Sequence, residues 1–342
     1  MSVKSNILPG LVLAGVIAGV SQYLEELIVI GGQHPISGVI LAILIGILIK
    51  NTVKVGDSFQ PGIRFALQKV LKGAIILLGL SLSFTAVLKT GADALIIILI
   101  CVTAAISLTF FIGKKMGLPD KLAALIGIGC AICGSTAICA AAPAIEAEDE
   151  DVTFSVATIT LFGVVAIFLY PIIGKMLLLT DMQFGTWSGI AVHETAQVIA
   201  AGFAYSDEAG KIATVVKLTR TVLLAPLVLI FGIIYARQKQ GSTTQKVNYL
   251  RIFPWFVLGF IALAIFRTYG DTIWMDSAQW TAFLAQGKTI AKFLIVVAMA
   301  GVGLLTNFED MKRVGIKPFI VGLIASVIMA VFSIILVYAL GI

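Results

Sequence analysis

Three short stretches of an otherwise apolar chain carry the residues that could bind a ligand. The first is Cys133-Gly134-Ser135-Thr136, which lies among small residues and is followed by Pro143. A helix that faces lipid gains nothing from this pattern, whereas a broken helix needs flexible backbone and hydroxyl groups. We predict an interruption at Gly134, with Ser135 and Thr136 capping a half-helix whose amide groups suit an anion. Close packing of small residues against a neighbouring helix is the alternative.

The second stretch is His193-Glu194-Thr195-Ala196-Gln197. Ionisable groups at membrane depth are costly, so they face a cavity or a partner. We predict that His193 and Gln197, which are four residues apart, share one helical face with Glu194 beside them. Glu194 and His193 would then bind and release a proton during a transport cycle. A surface loop with solvated charges is the alternative.

The third stretch holds Lys217 and Arg220, three residues apart on one face of the next predicted helix. Their depth in that helix argues against simple snorkelling to the membrane surface. Two inward cations need negative partners, and Glu194 or a dianionic substrate could supply them. Structural pairing inside the protein is the alternative. The predicted substrate-binding residues are Cys133, Gly134, Ser135, Thr136, His193, Thr195, Gln197, Lys217 and Arg220, with Glu194 and His193 as coupling residues.

Metal and enzyme chemistry fit these stretches poorly. Cys130 and Cys133 form a CxxC pair, but no second pair or histidine pair completes a zinc site, and cysteine is also a small packing residue. Gln197 stands where an HExxH zinc motif needs its second histidine. An intramembrane enzyme using Cys133 and His193 would lack a third, orienting group. We therefore predict no enzyme, no metal and no cofactor beyond a coupling H⁺ or Na⁺.

The composition places these stretches in a membrane protein. Of 342 residues, 59% are hydrophobic and only 12% are charged, and the mean hydropathy is +1.07. A soluble domain has about a quarter charged residues. We predict an all-α integral membrane protein of about eleven transmembrane helices, each long enough for the hydrocarbon core. They are predicted at 8–30, 35–50, 66–88, 93–113, 120–145, 152–174, 185–204, 209–236, 252–269, 288–306 and 315–341.

The charges predict the orientation of the chain. Lysines and arginines concentrate on one side of the predicted helices, which indicates a cytoplasmic N-terminus by the positive-inside rule. This bias explains the net charge of +6 without a nucleic-acid partner. The start of the chain lacks a cleavage site of small residues, so we expect a retained first helix. Polar stretches are short, which favours one transporter domain over 1–342, and 239–248 is the one predicted flexible linker.

Two apolar stretches, 69–91 and 288–315, resemble each other, since each begins with a lysine, is rich in glycine and ends at a glycine. Their predicted orientations are opposite, as an inverted repeat requires. Similarity of composition alone is the alternative.

A shorter match relates Ser135-Thr136 to Glu194-Thr195. The helix count gives 120–145 and 185–204 the same orientation, whereas an inverted pair needs opposite ones. Either one of them is re-entrant or the count is off by one.

The same motifs identify a family resemblance over nearly the whole chain. It is carried by Cys133-Gly134-Ser135-Thr136-Ala137-Ile138 with Ala142-Pro143, by His193-Glu194-Thr195-Ala196-Gln197-Val198, and by Lys217-Leu218-Thr219-Arg220. These residues resemble the YeiH-like family of sulfate exporters and, more distantly, bile-acid/sodium symporters and cation/proton antiporters. The resemblance implies intermixed core and panel subdomains, discontinuous helices that cross at the substrate site, an elevator-like or rocking motion, and a homodimer.

We therefore expect a secondary active transporter of a small anion, with sulfate or sulfonate export coupled to H⁺ or Na⁺ as the leading hypothesis. The expected location is a bacterial inner membrane, with the lipid bilayer and a small anionic substrate as partners. The alternative is a cation/proton antiporter with Glu194 as ion ligand and Lys217 as its counter-charge. Few intramembrane carboxylates and the lack of a paired Asp-Asp weigh against it.

Overall fold

The chain forms helices joined by short connections. The computed structural model describes residues 6–28, 37–53, 55–238, 254–274, 277–307 and 315–341, and these contain no β-strand. Six of the described helices are long and apolar enough to cross a membrane. Membrane residence is therefore supported by the described helices themselves, since such helices satisfy their own backbone hydrogen bonds in lipid.

The helices are numbered here in chain order. They are α1 (Leu8–Leu27), α2 (Gly38–Thr52), α3 (Gln60–Phe65), α4 (Leu71–Leu78), α5 (Phe84–Lys115), α6 (Asp120–Ala131), α7 (Ser135–Ala141), α8 (Asp149–Met176), α9 (Asp181–Ala191), α10 (Thr195–Tyr205), α11 (Asp207–Val222), α12 (Leu224–Gln238), α13 (Trp255–Ile273), α14 (Ala278–Leu305) and α15 (Ile316–Ala339). A π-helical turn, Ala66–Val70, joins α3 to α4.

The chain divides into two compact units that are interleaved in sequence. The first unit comprises Met1–Leu88 and Trp255–Phe308, and the second comprises Lys89–Pro254 and Glu309–Ile342. In the first unit, α14 packs against α1, α2 and α4. Gly46 of α2 and Gly303 of α14 lie in this contact, and both are close to the backbone of the opposite helix. Small residues allow such close approach of helices in membrane proteins.

The second unit is built around two pairs of short helices. Helix α11 packs against α9 and α10, while α8 packs against α6, α7 and α10. The last helix, α15, covers α6, α8 and α9. Short buried helices therefore lie inside a layer of longer ones.

Several predicted boundaries are wrong. The predicted loop at 89–92 lies inside α5, which begins at Phe84 because Ser83 accepts a hydrogen bond from the amide of Ala86 at 3.2 Å. Helix α14 begins ten residues before the predicted 288, since Ser277 caps it through the amide of Trp280. A serine cap is a weak signal in sequence, and here it marks both helix starts.

Three predicted helical segments are interrupted in the structure, the first of them at the break predicted at Gly134. The segment 120–145 divides into α6 and α7, 185–204 into α9 and α10, and 209–236 into α11 and α12. The predicted linker 239–248 and the ends of the predicted helices at 29–30, 35–36 and 252–253 lie outside the described residues. The number of membrane crossings, the inverted repeats and the single transporter domain stay predictions.

We expect Gly303→Ala to destabilise the first unit. The added Cβ would overlap the carbonyl oxygen of Ile43 and lie 2.9 Å from the Cα of Gly46. Overpacking of this kind typically costs about 1–3 kcal/mol, so the thermal unfolding midpoint in detergent should fall. Gly15→Ala in α1 is the matched control, because no heavy atom beyond the surrounding turns of its own helix would lie within 4 Å of its Cβ. Equal midpoints for the two variants would contradict the expectation.

Candidate functional site

The first interruption lies between α6 and α7, at Ile132, Cys133 and Gly134. Helix α6 ends at Ala131, and α7 begins at Ser135. Gly134 has a φ of +71°, which residues other than glycine rarely adopt. A Cβ on Gly134 would also overlap Cγ of Glu194. The break predicted at Gly134 is thus present, and only glycine fits there.

The predicted caps of this break are wrong. Gly134 itself occupies the cap position of α7, and it has no side chain that could cap that helix. Ser135 is instead the first helical residue, and its amide donates to Oε1 of Glu194 at 3.4 Å. A carboxylate from another part of the chain therefore fulfils the capping role that the sequence assigned to local hydroxyls.

The second interruption lies between α9 and α10, at Val192, His193 and Glu194. Glu194 caps α10 by accepting from the amide of Gln197, and the Gln197 side chain accepts from the Glu194 amide in return. This reciprocal arrangement is a capping box. The predicted shared helical face of His193 and Gln197 is wrong, because His193 precedes the helix. Gln197 lies 1% exposed inside the unit.

The Gln197 side chain also ties α10 to α8. Its Nε2 donates to the carbonyl of Thr160 at 3.2 Å. Gly163, one turn further along α8, leaves the space that this side chain fills, since a Cβ there would overlap Oε1 of Gln197. Gln197 therefore has a positioning role.

Lys217 binds both interruptions from α11. It is fully buried, and its Nζ donates to the carbonyls of Ile132 at 2.9 Å and Val192 at 3.3 Å, and also to the carbonyl of His193. An ammonium has three N–H donors and no acceptor, so three carbonyl partners match the charged form.

Arg220 binds the same carbonyls from one turn further along α11. It too is fully buried. Its Nε donates to the carbonyl of Ile132 at 2.6 Å, and its Nη2 donates to that of Val192 at 2.9 Å. The remaining bonds reach the carbonyls of Ile190 and His193. The planar guanidinium thus joins the ends of two helices.

These bonds place the two cations at the C-terminal ends of two helices, where the helix dipole is negative. Ile132 follows the last residue of α6, and Val192 follows the last residue of α9. The last carbonyls of a helix lack partners within it and carry the negative end of the helix dipole. Lys217 and Arg220 lie inward, as their depth in the predicted helix indicated. The bonds described here go to backbone carbonyls and not to Glu194, which fits the alternative of structural pairing inside the protein. Their bonds go to the protein backbone, so any action on a substrate operates through their charge.

Glu194 lies at the N-terminal ends of α7 and α10, where the helix dipole is positive. Its carboxylate accepts from the Ser135 amide, from the amide of Gln197, and from the hydroxyl of Thr160 at 3.4 Å. It is half-buried, as are Ser135 and Thr195. Two fully buried cations, Lys217 and Arg220, thus lie on one side of the two breaks, and the half-buried carboxylate of Glu194 lies on the other, accessible side.

The other predicted site residues differ in how exposed their side chains are. Thr136 is exposed, together with Cys139 one turn later, whereas Cys133 is buried. His193 is only 2% exposed and hydrogen-bonds through Nε2 to Ser326 Oγ at 2.7 Å. His193 therefore faces α15 and lies away from the accessible side.

The sequence provided no sign of several residues in this site. Thr160 and Ser326 are isolated polar residues in apolar helices, and Gly163 resembles any packing glycine. Among the described residues, no cluster of His, Cys, Asp or Glu could hold a metal ion. All four cysteines are free thiols.

Comparison with known proteins identifies close relatives over nearly the whole chain. A family profile described as "Conserved hypothetical protein 698" matches residues 9–322. A "UPF0324 membrane protein" of Clostridium tetani is 34% identical over 347 residues, which cover 97% of each chain. The "UPF0324 inner membrane protein YeiH" of Escherichia coli K12 is 35% identical over 326 residues, covering 93% of this chain and 90% of the relative.

We expect Arg220→Lys to destabilise the second unit, although it keeps the charge. A single ammonium cannot reproduce the planar fork that joins α6 to α9, and each carbonyl left buried without a donor costs about 1–3 kcal/mol. Thermal unfolding in detergent measures the loss. Lys211→Ala on the same helix is the control, since its ion pair with the exposed Glu208 is worth only about 0–1 kcal/mol. An unfolding midpoint for Arg220→Lys at or above that of the control would contradict the stabilising role of the Arg220 guanidinium between α6 and α9.

Proposed function

The chain belongs to the UPF0324 family of membrane proteins, and on that premise we propose that it is a secondary active transporter of a small anion. One observation carries the proposal. Two interrupted helices meet with their breaks joined by Lys217 and Arg220, and the half-buried Glu194 beside them accepts from the Ser135 amide and the Thr160 hydroxyl.

The interruptions support transport because unpaired backbone is expensive inside lipid. Non-helical backbone persists at membrane depth only where it is buried in protein or lines a water-filled cavity. Secondary transporters place their substrate at such half-helix ends. The accessible side carries Ser135, Thr136 and Thr195, which supply hydroxyl donors next to the breaks. We propose these three residues as direct substrate contacts.

The charges support an anion. Lys217 and Arg220 contribute two positive charges against the single negative charge of Glu194, which leaves an excess of one positive charge. A buried excess charge is unfavourable in low dielectric and is relieved by an anion. An oxyanion such as sulfate or a sulfonate accepts hydrogen bonds from several directions, which suits a group of hydroxyl and amide donors. The family resemblance points to the same substrates and to export.

The roles of the remaining predicted residues follow from their contacts. Lys217 and Arg220 act on the substrate by their field, Gly134 keeps the break open, and Glu194 is the proposed coupling group. Gln197 and His193 hold neighbouring helices through Thr160 and Ser326, and Cys133 is buried in the hydrophobic core. We also retain in this proposal the homodimer, the core and panel arrangement with inverted repeats, the cytoplasmic N-terminus and the absence of enzymatic activity.

A cation/proton antiporter is the second candidate. The half-buried Glu194 carboxylate, with the Thr160 hydroxyl beside it, favours this alternative. Sodium added to proteoliposomes would then change the internal pH in the absence of sulfate. An anion transporter gives no such signal.

We expect Thr136→Val to reduce sulfate uptake into proteoliposomes at least several-fold, with little change in the unfolding midpoint. Valine keeps the shape of threonine but removes the hydroxyl donor, and Thr136 is exposed, so the fold should not depend on it. Thr103→Val on α5 is the matched control, because its exposed hydroxyl donates only to the carbonyl of Leu99. Unchanged uptake by Thr136→Val would remove this residue from the site.

Cys139 provides a second measurement on the unmodified chain. It is the one exposed cysteine of the four and lies on the same helical face as Thr136. A membrane-impermeant thiol reagent should modify Cys139 alone, and saturating sulfate should slow the reaction. A thiol that does not react would show that this face does not meet water, which contradicts the proposed site.

A further inference from the structure

We infer that the carbonyl oxygens of Ile132, Val192 and His193 form a site for a small monovalent cation, which the ammonium group of Lys217 fills in this protein. The site follows from contacts inside the second unit. Its consequence for coupling rests on the proposed function, because a transporter that carries its own cation at this place needs no sodium ion there.

Three backbone oxygens converge on one point inside the second unit. The Nζ atom of Lys217 lies 2.9 Å from the carbonyl oxygen of Ile132 and 3.3 Å from that of Val192. It also donates to the carbonyl oxygen of His193. Groups of backbone carbonyls replace the hydration shell of monovalent cations in channels, and the carbonyl ends of half-helices coordinate sodium in transporters. Lys217 Nζ therefore lies in surroundings that suit a small cation.

The position favours a positive charge whether or not a lysine supplies it. Ile132 follows α6, and Val192 follows α9, so the C-terminal ends of two helices meet there. Their last carbonyls have no partner within the helix and carry the negative end of the helix dipole. Lys217 is fully buried, so bulk water does not reach these oxygens through its side chain. A cation is needed here to satisfy them.

Arg220 already joins the two helices without Lys217. Its guanidinium donates to the carbonyls of Ile132, Val192 and His193, and to one further carbonyl of α9. A carbonyl oxygen has two lone pairs, so each shared oxygen can accept one donor from Arg220 and one from Lys217. A planar guanidinium bridges helices, whereas an ammonium group is a compact point charge. The contribution of Lys217 is therefore the one that a metal cation could also make.

The surroundings select a single positive charge. The oxygens are neutral carbonyls, and the Arg220 guanidinium lies beside them, so a divalent ion would meet more repulsion than a monovalent one. Among the described residues, no cluster of acidic or other metal-binding side chains completes a divalent site. Divalent ions in proteins are held chiefly by carboxylates. Sodium is the cation used here to test the site.

A built-in cation has a consequence for coupling. In a sodium-coupled transporter, the ion at half-helix ends arrives and leaves with the substrate. The ammonium group of Lys217 is covalently attached to α11 and cannot leave. We therefore expect sulfate transport by this chain to be independent of sodium. Of the two coupling ions considered for this protein, H⁺ then remains.

Lys217→Ala tests the site, because it removes the ammonium group together with the side chain that carries it. The full-length variant is purified in parallel in sodium chloride and in choline chloride at equal ionic strength, and thermal unfolding is measured in detergent. Choline is too large for the vacated space, and its methyl groups replace the N–H donors. We expect a higher midpoint in sodium, rising by about 2–4 °C for each tenfold increase in sodium concentration above the dissociation constant. The wild-type midpoint should be equal in the two salts.

Lys217→Met is the matched variant. It loses the same charge, but its long side chain fills the space, so sodium should not raise its midpoint. Lys211→Ala on the same helix is the second control, since it removes a lysine from an ion pair with the exposed Glu208 and should respond to sodium like the wild type. In proteoliposomes, the wild-type protein should take up sulfate at the same initial rate with sodium or with choline as the external cation.

The outcomes separate the inference from the proposed function. Equal midpoints of Lys217→Ala in the two salts would overturn the inference, and so would an equal sodium response of Lys217→Met. Failure of Lys217→Ala to fold in either salt would also overturn it, because sodium would then not replace the ammonium group. If only Lys217→Met does not fold, the comparison with Lys211→Ala decides.

The transport measurement gives the remaining outcomes. Sulfate uptake by the wild-type protein that requires sodium would overturn the inferred independence of sodium and leave anion transport standing. No uptake of sulfate or methanesulfonate, together with a sodium response of Lys217→Ala, would overturn the proposed function and leave the cation site standing.

Discussion

The binding of two buried cations to the carbonyl ends of two broken helices is the constraint on which the rest of the site depends. Lys217 and Arg220 share the carbonyls that follow α6 and α9, and both side chains are fully buried. Without them, partly negative helix ends would lie together inside the protein without donors. The cost of burying two charges is offset here by a dense set of carbonyl acceptors, which is the condition under which buried ions are tolerated.

The carboxylate of Glu194 lies on the other side of the two breaks from Lys217 and Arg220. Carbonyls face Lys217 and Arg220, and amides face Glu194, so each group opposes the local helix end of opposite sign. The proposed transport mechanism uses the difference between the two sides. The cations are enclosed by backbone acceptors, whereas Glu194 is half-buried. A fixed positive field beside a half-buried carboxylate is the physical basis on which we propose selection of small anions.

Much of this site was predictable from residue types, but its connections were not. The cluster at Gly134, the charges near Glu194 and the depth of Lys217 and Arg220 all indicated an interruption with inward charges. The sequence could not show that the cations bind carbonyls, because every residue has a backbone carbonyl and its residue type does not reveal what that carbonyl binds. It also misplaced His193 on a helix, since the break at Val192, His193 and Glu194 contains no glycine or proline to mark it. The helix starts at Phe84 and Ala278 depended on single serine caps, which apolar periodicity does not reveal.

The contacts of α15 have a consequence for biogenesis. This helix is synthesised after the other described helices, yet the second unit needs it: Trp187 donates to the carbonyl of Ala330 at 2.8 Å, and His193 hydrogen-bonds to Ser326. The intervening segment 255–308 belongs to the first unit. The Trp187 indole and the His193 imidazole of the nascent second unit therefore lack these partners until α15 has been synthesised. The interior of the second unit is thus complete only when α15 is present, so a chain truncated before α15 would be a substrate for membrane quality control.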